Sequence, residues 1–272
     1  MDEEQGTLQF SYWYDIKESE LHANVREKFI RHFYDSETEE FVTNACNISY
    51  LKHAYDNTMT IFLVPFMSAT SRNGFLNRGL MFVASGELFH KVLRGCGTGR
   101  LLDIGAGSGL VTTKFAGIFR EVFATETSAS MKSRLQSKGY TVLDINSWKE
   151  ETFDVISCLN VLDRCHEPME LLQDMRSSLG KTGGMVMVAL VLPYKGTVEE
   201  GNTWVSQQDP MPIRGISVEE QLSCFITKVL EPMGFELNFV TKVPYLCTGD
   251  LYAKYYSLTD CLMTLTVKKD SD

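Results

Sequence analysis

The sequence is poor in several features that would each have placed it in a familiar class. Its seven cysteines, at positions 46, 96, 158, 165, 224, 247 and 261, contain no C-x-x-C pair. That speaks against a disulfide scaffold or a zinc module and for reduced thiols in a reducing compartment. The five histidines, at 22, 32, 53, 90 and 166, form no H-x-x-x-H or H-E-x-x-H arrangement, so no protein-built metal site is expected. Basic residues are outnumbered, 26 to 35, for a net charge of −9. A nucleic-acid partner, which calls for a basic stripe, is therefore not expected. The longest apolar run, residues 59–67, is interrupted by Pro65 and is too short for a bilayer. Residues 1–6 are acidic and polar, unlike the basic and then apolar start of a signal peptide. A cytoplasmic location is the expectation, with endomembrane or mitochondrial association if a leader has been removed. There is no internal repeat and no low-complexity segment.

What is present is an ordinary globular composition, with 44% hydrophobic and 22% charged residues over 272 positions. That length accommodates one large α/β domain with an added helical segment. The chain is organised around residues 101–109, LLDIGAGSG. An apolar run ends in Asp103, and Gly105, Gly107 and Gly109 follow at alternate positions. The pattern predicts a buried strand turning tightly into a ligand-facing loop, where a side chain would penalise positive φ and hold a ligand off the backbone. A dinucleotide loop has the spacing G-x-G-x-x-G, whereas here the third glycine comes one residue early and position 110 is Leu. The departure favours an S-adenosylmethionine (SAM) loop, with Asp103, Gly105, Gly107 and Gly109 as candidate cofactor-binding residues.

After Gly99 strands and helices alternate. Strands are predicted over residues 100–104, 121–125, 141–143, 153–158, 185–191, 236–243 and 261–267, and helices over 110–119, 129–138, 168–179 and 218–230. Such alternation implies right-handed βαβ units and a parallel sheet. The last two strands have no helix between them and should pair antiparallel. The expected fold is thus an α/β class I methyltransferase sheet of seven strands, mostly parallel with a terminal antiparallel strand. Residues 1–94 read as a helical N-terminal subdomain or lid, and residues 95–272 as the catalytic domain. Within the former, Phe29, Ile30 and Phe33 can share one helical face, and Phe41, Ala45 and Ile48 another. Residues 68–81 read as a loop, either a connector or part of a cofactor or substrate wall, and residues 195–217 as an inserted loop. The two polar termini are expected to fray.

In an open α/β sheet the ligand lies beyond the carboxyl ends of the strands. The second of these ends at Glu126, whose two acceptor oxygens suit the adjacent hydroxyls of a ribose. The third ends at Asp144 and Asn146. Either could accept from the adenine amino group, or serve only as a turn residue. The fourth runs into SCLNVLDRC, residues 157–165, where Asn160 and Asp163 stand three apart in an otherwise apolar stretch. On a helical turn they share one side. Buried polar groups need partners, so the pair implies a polar substrate atom between them, with Asn160 also near the cofactor. The alternative is an Asp that caps the next helix and an Asn that completes the turn.

SCLNVLDRC, LLDIGAGSG, the ATE triplet, ALVLP (189–193), PYLCTGD (244–250) and the following Tyr255–Tyr256 pair together resemble the DREV-type methyltransferase-like protein 9 family of protein-histidine N-pros-methyltransferases. The resemblance extends over residues 68–267 and is weaker before them. It implies transfer of a methyl group from SAM to a histidine in a His-x-His motif with a small residue in the middle. Gly105 and Glu126 match its cofactor-binding positions, and Asn160, Asp163 and Tyr256 match positions that hold the target imidazole. Ser108 stands where family members can carry Asp, with little consequence expected because the glycine backbone does most of the binding. The expected partners are His-x-His-containing proteins, and the expected state is a monomer. A SAM-dependent methyltransferase for another nitrogen or a small molecule, and a non-catalytic SAM-binding scaffold, are the alternatives. The chain contains no H-x-H of its own, so it is not expected to methylate itself in this way.

Overall fold

The computed structural model describes residues 10–180 and 183–268; the ends expected to fray, Lys268 apart, lie outside them. Eight strands form one sheet: β1 (Met81–Phe82), β2 (Arg100–Ile104), β3 (Glu121–Thr125), β4 (Thr141–Leu143), β5 (Val155–Leu159), β6 (Met185–Val191), and the long pair Phe235–Thr248 and Tyr255–Val267. The intervening β7 (Thr197–Glu200) and β8 (Thr203–Ser206) make a separate hairpin, so the long pair are β9 and β10. The order across the large sheet is β1-β9-β10-β6-β5-β2-β3-β4. β3, β2, β5 and β6 pair parallel with their neighbours in that block, β4 included. β10 lies antiparallel to both β6 and β9. This is the α/β class I methyltransferase arrangement with one strand more than the seven expected, because the two-residue β1 adds to the free edge of β9.

The central strands are apolar on both faces, as a parallel sheet covered on both sides requires. Alternate residues feed two cores. Leu102, Ile156 and Val188 belong to one, while Leu101, Val155 and Met187 belong to the other. The N-terminal residues contribute to both: Ile16, Leu21 and Val25 join the first, and Trp13, Tyr14 and Val42 the second. They also shield the edge of β9. Ile30 N–H donates to Val240 O at 2.9 Å, and Lys242 Nζ donates to the carbonyls of Tyr12 and Asp15 at 3.0 and 2.6 Å. Covering an edge in this way removes unpaired backbone groups that would otherwise invite pairing with another chain.

Several local expectations need correction. Residues 110–119 do not form an α-helix but two 3-10 turns, Thr112–Lys114 and Ala116–Ile118. Phe29, Ile30 and Phe33 do not share a helical face. The helix α1 (Ala23–Lys28) stops before them, Phe29 bridges to Val240, and Ile30 and Phe33 are 45% and 62% exposed. The stretch 68–81 holds a helix, Ala69–Leu76, whose N-cap Ser68 accepts from Ser71 N–H. The inserted segment 195–217 contains the β7–β8 hairpin. Other helices fall where expected. Pro168 opens Pro168–Ser177 in the first-turn position where its missing N–H costs nothing. A capping box of Ser217 and Glu220 opens Val218–Cys224, which continues as a π-helical turn, Phe225–Leu230. Among the described residues no helix is long and apolar enough to cross a membrane.

Because the N-terminal segment shares the cores of the sheet, truncating it should weaken the whole molecule. Val25, 0% exposed, loses two methyl groups in Val25→Ala, a change expected to cost about 2 kcal/mol. Urea unfolding should show one transition shifted as a unit, whether followed by fluorescence or by circular dichroism. A separate early transition would instead mean that the N-terminal segment unfolds independently of the sheet.

Candidate active site

β2 delivers the chain to Gly105, Gly107 and Gly109, which take φ of +65°, +56° and +72°. Two of these glycines are needed for different reasons. A Cβ on Gly105 would sit 2.6 Å from Val161 Cγ2, so this residue lets the loop close on the segment after β5. A Cβ on Gly107 would meet no atom within 4 Å, and Gly107 lines a small pocket of about 70 Å³ with Gly105 and Leu159, so its backbone is open to whatever lies there. Asp103, just ahead, is buried and accepts from Thr112 Oγ1 at 2.5 Å and Ser157 Oγ at 2.7 Å. Burial pushes its carboxyl up to about 6, against the pull of those two hydroxyls.

At the end of β3, Glu126 is also buried. Its Oε1 accepts from the backbone N–H of Thr127 and Ser128 at 2.7 and 2.9 Å and from Thr127 Oγ1 at 3.2 Å. Its Oε2 accepts only from Gly107 N–H, at 3.0 Å, and so keeps acceptor capacity. Glu126 lines a cleft of about 650 Å³ together with Gly105, Ile145, Trp148 and Val161. Beyond β4, the side chains of Asp144 and Asn146 are exposed. Asp144 Oδ1 accepts from Asn146 N–H at 3.0 Å, a local turn contact. It is Ile145, between them, that lines the cleft, above Trp148, whose Nε1 donates to the Ile145 carbonyl at 2.9 Å.

After β5 the chain turns through Asn160, whose φ is +58°, and Asn160 and Asp163 are both buried, at 4% and 7% exposure. Asn160 Nδ2 donates to Asp260 Oδ2, on β10, at 2.8 Å. Asp163 Oδ2 lies 3.5 Å from Arg164 Nε. Burial raises the Asp163 carboxyl, with the Arg164 charge opposing the shift. Burial likewise raises Asp260, to about 7, aided by the negative charge of Asp163 and opposed by the Asn160 hydrogen bond. Asn160 Oδ1, Asp163 Oδ1 and Asp260 Oδ1 are buried and have no hydrogen-bond partner. Asn160 and Asp163 themselves line none of the pockets; each stands one residue before a residue that does, Val161 and Arg164. Tyr256 stands apart at 45% exposure. Its hydroxyl donates to Asp250 Oδ1 at 2.9 Å, and its ring lines an adjoining pocket of about 230 Å³ with Arg164, Glu199, Trp204 and Tyr245.

The sequence reading passed over several residues that the fold brings to the cleft. Arg164 lines both pockets, its guanidinium 5.5 Å from the centre of the Tyr245 ring. His166 lines the larger one, with Nε2 3.1 Å from Glu200 Oε1. Both belong to the same short stretch as Asn160 and Asp163, so their signal was proximity to an identified motif. Glu199 and Trp204 come from the β7–β8 hairpin, and Glu199 accepts from Thr70 N–H and Oγ1 at 3.2 and 2.5 Å. The helix Ala69–Leu76 and that hairpin therefore close over one wall of the cleft.

The donor set fits S-adenosylmethionine. The open backbone at Gly107 suits close approach of the methionine arm, the spare acceptor of Glu126 suits a ribose diol, and Ile145 and Trp148 offer an apolar wall. The nearby carboxylates favour a cationic sulfonium. A family profile described as DREV methyltransferase matches residues 13–267. Solved structures with a similar fold include an S-adenosylmethionine-dependent methyltransferase from Clostridium acetobutylicum, at 13% identity over 68% of this chain and 90% of that one, TM-score 0.43. A SAM-dependent methyltransferase from Leishmania major is 14% identical over 66% and 70% of the two chains, TM-score 0.44. The [4+2]-cyclase SpnF is 14% identical over 68% and 80%, TM-score 0.46.

Two tests follow from this geometry. Gly107→Ala carries only the left-handed backbone penalty of about 1–2 kcal/mol and should weaken SAM binding tenfold or more with a small loss of thermal stability. Gly105→Ala adds the clash with Val161 and should lose much more stability; calorimetry and thermal unfolding separate the two. The second test concerns pH. A carboxyl whose folded pKa exceeds its unfolded value of about 3.9 holds its proton longer when folded, so its stabilising contribution is whole below that value and is lost as pH rises through the folded one. With Asp103 at about 6 and Asp260 at about 7, the melting temperature should fall between about pH 4 and about pH 7. Asp260→Asn should flatten the upper part of that fall.

Proposed function

The chain belongs to the DREV methyltransferase family, and from that premise we propose that it moves a methyl group from SAM to the pros nitrogen of a histidine in His-x-His segments of protein substrates. The observation that carries this reading is the pair of buried acceptor oxygens on Asn160 and Asp163, without hydrogen-bond partners, each one residue before a residue that lines the cleft. A buried acceptor without a partner costs about 1–3 kcal/mol, and an imidazole N–H is a donor that answers it. The sequence motifs around both residues support the same assignment.

An imidazole has a reference pKa of about 6.5, so near neutral pH it is largely uncharged and nucleophilic without a strong base. It needs one tautomer and one orientation. Accepting a hydrogen bond from the far ring N–H, Asp163 or Asn160 leaves the pros nitrogen bare. SAM, when bound, supplies an electrophilic methyl on a sulfonium. As the ring nitrogen forms its bond to that carbon, the carbon–sulfur bond breaks and its electron pair stays on sulfur. Positive charge passes to the imidazole ring, where the carboxylate of Asp163 stabilises it, and the ring N–H proton is then released. Tyr256, in the adjoining pocket, walls the substrate side.

Asp163→Ala should lower turnover by about two to three orders of magnitude while leaving SAM affinity within a few-fold. The decisive assay uses labelled SAM, peptides containing Ala-His-Ala-His, and their His-to-Ala variants, with the modified nitrogen identified by fragmentation and chromatography. Label on the imidazole pros nitrogen is expected. Transfer only to other acceptors would mean a different methyltransferase substrate, and binding without transfer would mean a scaffold.

A further inference from the structure

Asp260 is a fully buried acid in the middle of an antiparallel pair, where β10 faces Val191 of β6 and Val243 of β9. A carboxyl in that position is costly unless it is hydrogen-bonded; it accepts from the Asn160 side-chain amide and from the backbone N–H of Cys261. Asn160 has in turn one side-chain bond, from Nδ2, and a buried Oδ1 without a partner. An amide has two chemically different ends that occupy nearly the same space. Among the described residues no other hydrogen bond of the Asn160 side chain selects between them. Its backbone is fixed independently, by the left-handed φ and by the N–H that donates to Ala189 O at 2.9 Å. An acceptor on β10 therefore decides which end of the Asn160 amide is left over.

We propose that Asp260 is a positioning residue for methyl transfer: by accepting from the Asn160 amide N–H it holds the Asn160 carbonyl oxygen as the end available to a substrate N–H. The inference rests on the reading of Asn160 as an acceptor for the substrate ring. Turned the other way, Asn160 would present an N–H to a ring that must donate, and the productive tautomer would be lost. The arrangement also links the site to the last hairpin of the sheet, because the residue that orients the β5 turn comes from β10, one hundred positions later.

The test is a double-mutant cycle with Asp260→Leu, which keeps the branched shape and removes the acceptor, and Asn160→Ala. Asp260→Leu alone should lower kcat/KM for a His-x-His peptide about 10- to 100-fold, with the SAM dissociation constant within about threefold of wild type. Added to Asn160→Ala, it should cost less than a further threefold, because its partner is already gone. Asp260→Asn, which retains an acceptor oxygen, should recover most of the loss. Losses that multiply in the cycle, or an Asp260→Leu enzyme with full activity, would overturn the proposal. A second readout needs no acceptor peptide. The side-chain amide signals of Asn160, assigned by their disappearance in Asn160→Ala, should shift in the ¹H–¹⁵N spectrum of Asp260→Leu and exchange faster with solvent. Signals unmoved by the substitution would refute the contact. If the wild-type protein leaves His-x-His peptides unmethylated while those signals respond, the substrate reading fails and the positioning contact stands.

Discussion

The site depends first on how one buried acid is satisfied. Asp103 lies one residue before the end of β2 inside the sheet, where an unpaired carboxyl costs several kcal/mol, and two hydroxyls meet it. Ser157 comes from β5 and Thr112 from the turn after the glycine loop. Those two bonds tie three segments to one point. The loop between Asp103 and Thr112 has little freedom left, and its centre is pinned again where Gly107 N–H donates to Glu126. The three left-handed glycines are the conformations that satisfy both ties at once.

The same end of the sheet collects further acids. Asp103, Glu126, Asp163 and Asp260 are all buried there, and Arg164 is the cation paired with one of them. Such a concentration of carboxyls raises pKa values by burial and by mutual repulsion, as Asp103 and Asp260 show. It also makes the cleft favourable to positive charge. SAM carries that charge on sulfur, and in the proposed reaction the charge passes to an imidazole ring. A site already negative on both sides of the transfer spares the ligand a change of surroundings as its charge moves.

The sheet was legible in the sequence because its strands are apolar runs separated by periodic helices, and β2 to β6 lie within a residue or two of their expected positions. What was missed has local causes. The segment after the glycine loop has an apolar pattern compatible with a helix. Thr112 is instead drawn to Asp103, and Gly117 weakens the following turn, so short 3-10 pieces form. β1 is two residues long and has no pattern of its own. The β7–β8 hairpin carried a signal in Gly201-Asn202 between two alternating runs, one of the residue pairs that favour a two-residue turn. Residues 29–33 have helical spacing, but edge pairing of Phe29 and Ile30 with β9 outweighs it. Within the site, Asp260 was invisible because the last strand was expected to begin only at residue 261, which left this acid in the connection before it, and its partner lies far away in sequence.

These successes and failures divide along a structural line. The candidates at the ends of the parallel strands, from Gly105 to Glu126, came from spacing, and the strand order sets them at one end of the sheet. The wall opposite is built by elements outside that repeating pattern: the helix Ala69–Leu76 with Thr70, the β7–β8 hairpin with Glu199 and Trp204, and the β9–β10 pair with Tyr245 and Tyr256. Their positions follow from tertiary contacts, such as the bonds from Thr70 to Glu199, which have no local periodicity. A methyl donor is the same molecule in every enzyme that uses it, so its half of the site can be inherited with the strand order. An acceptor differs from enzyme to enzyme. Its half is assembled by segments free to vary, and Asp260 reaching across to Asn160 is the point at which the two halves are joined.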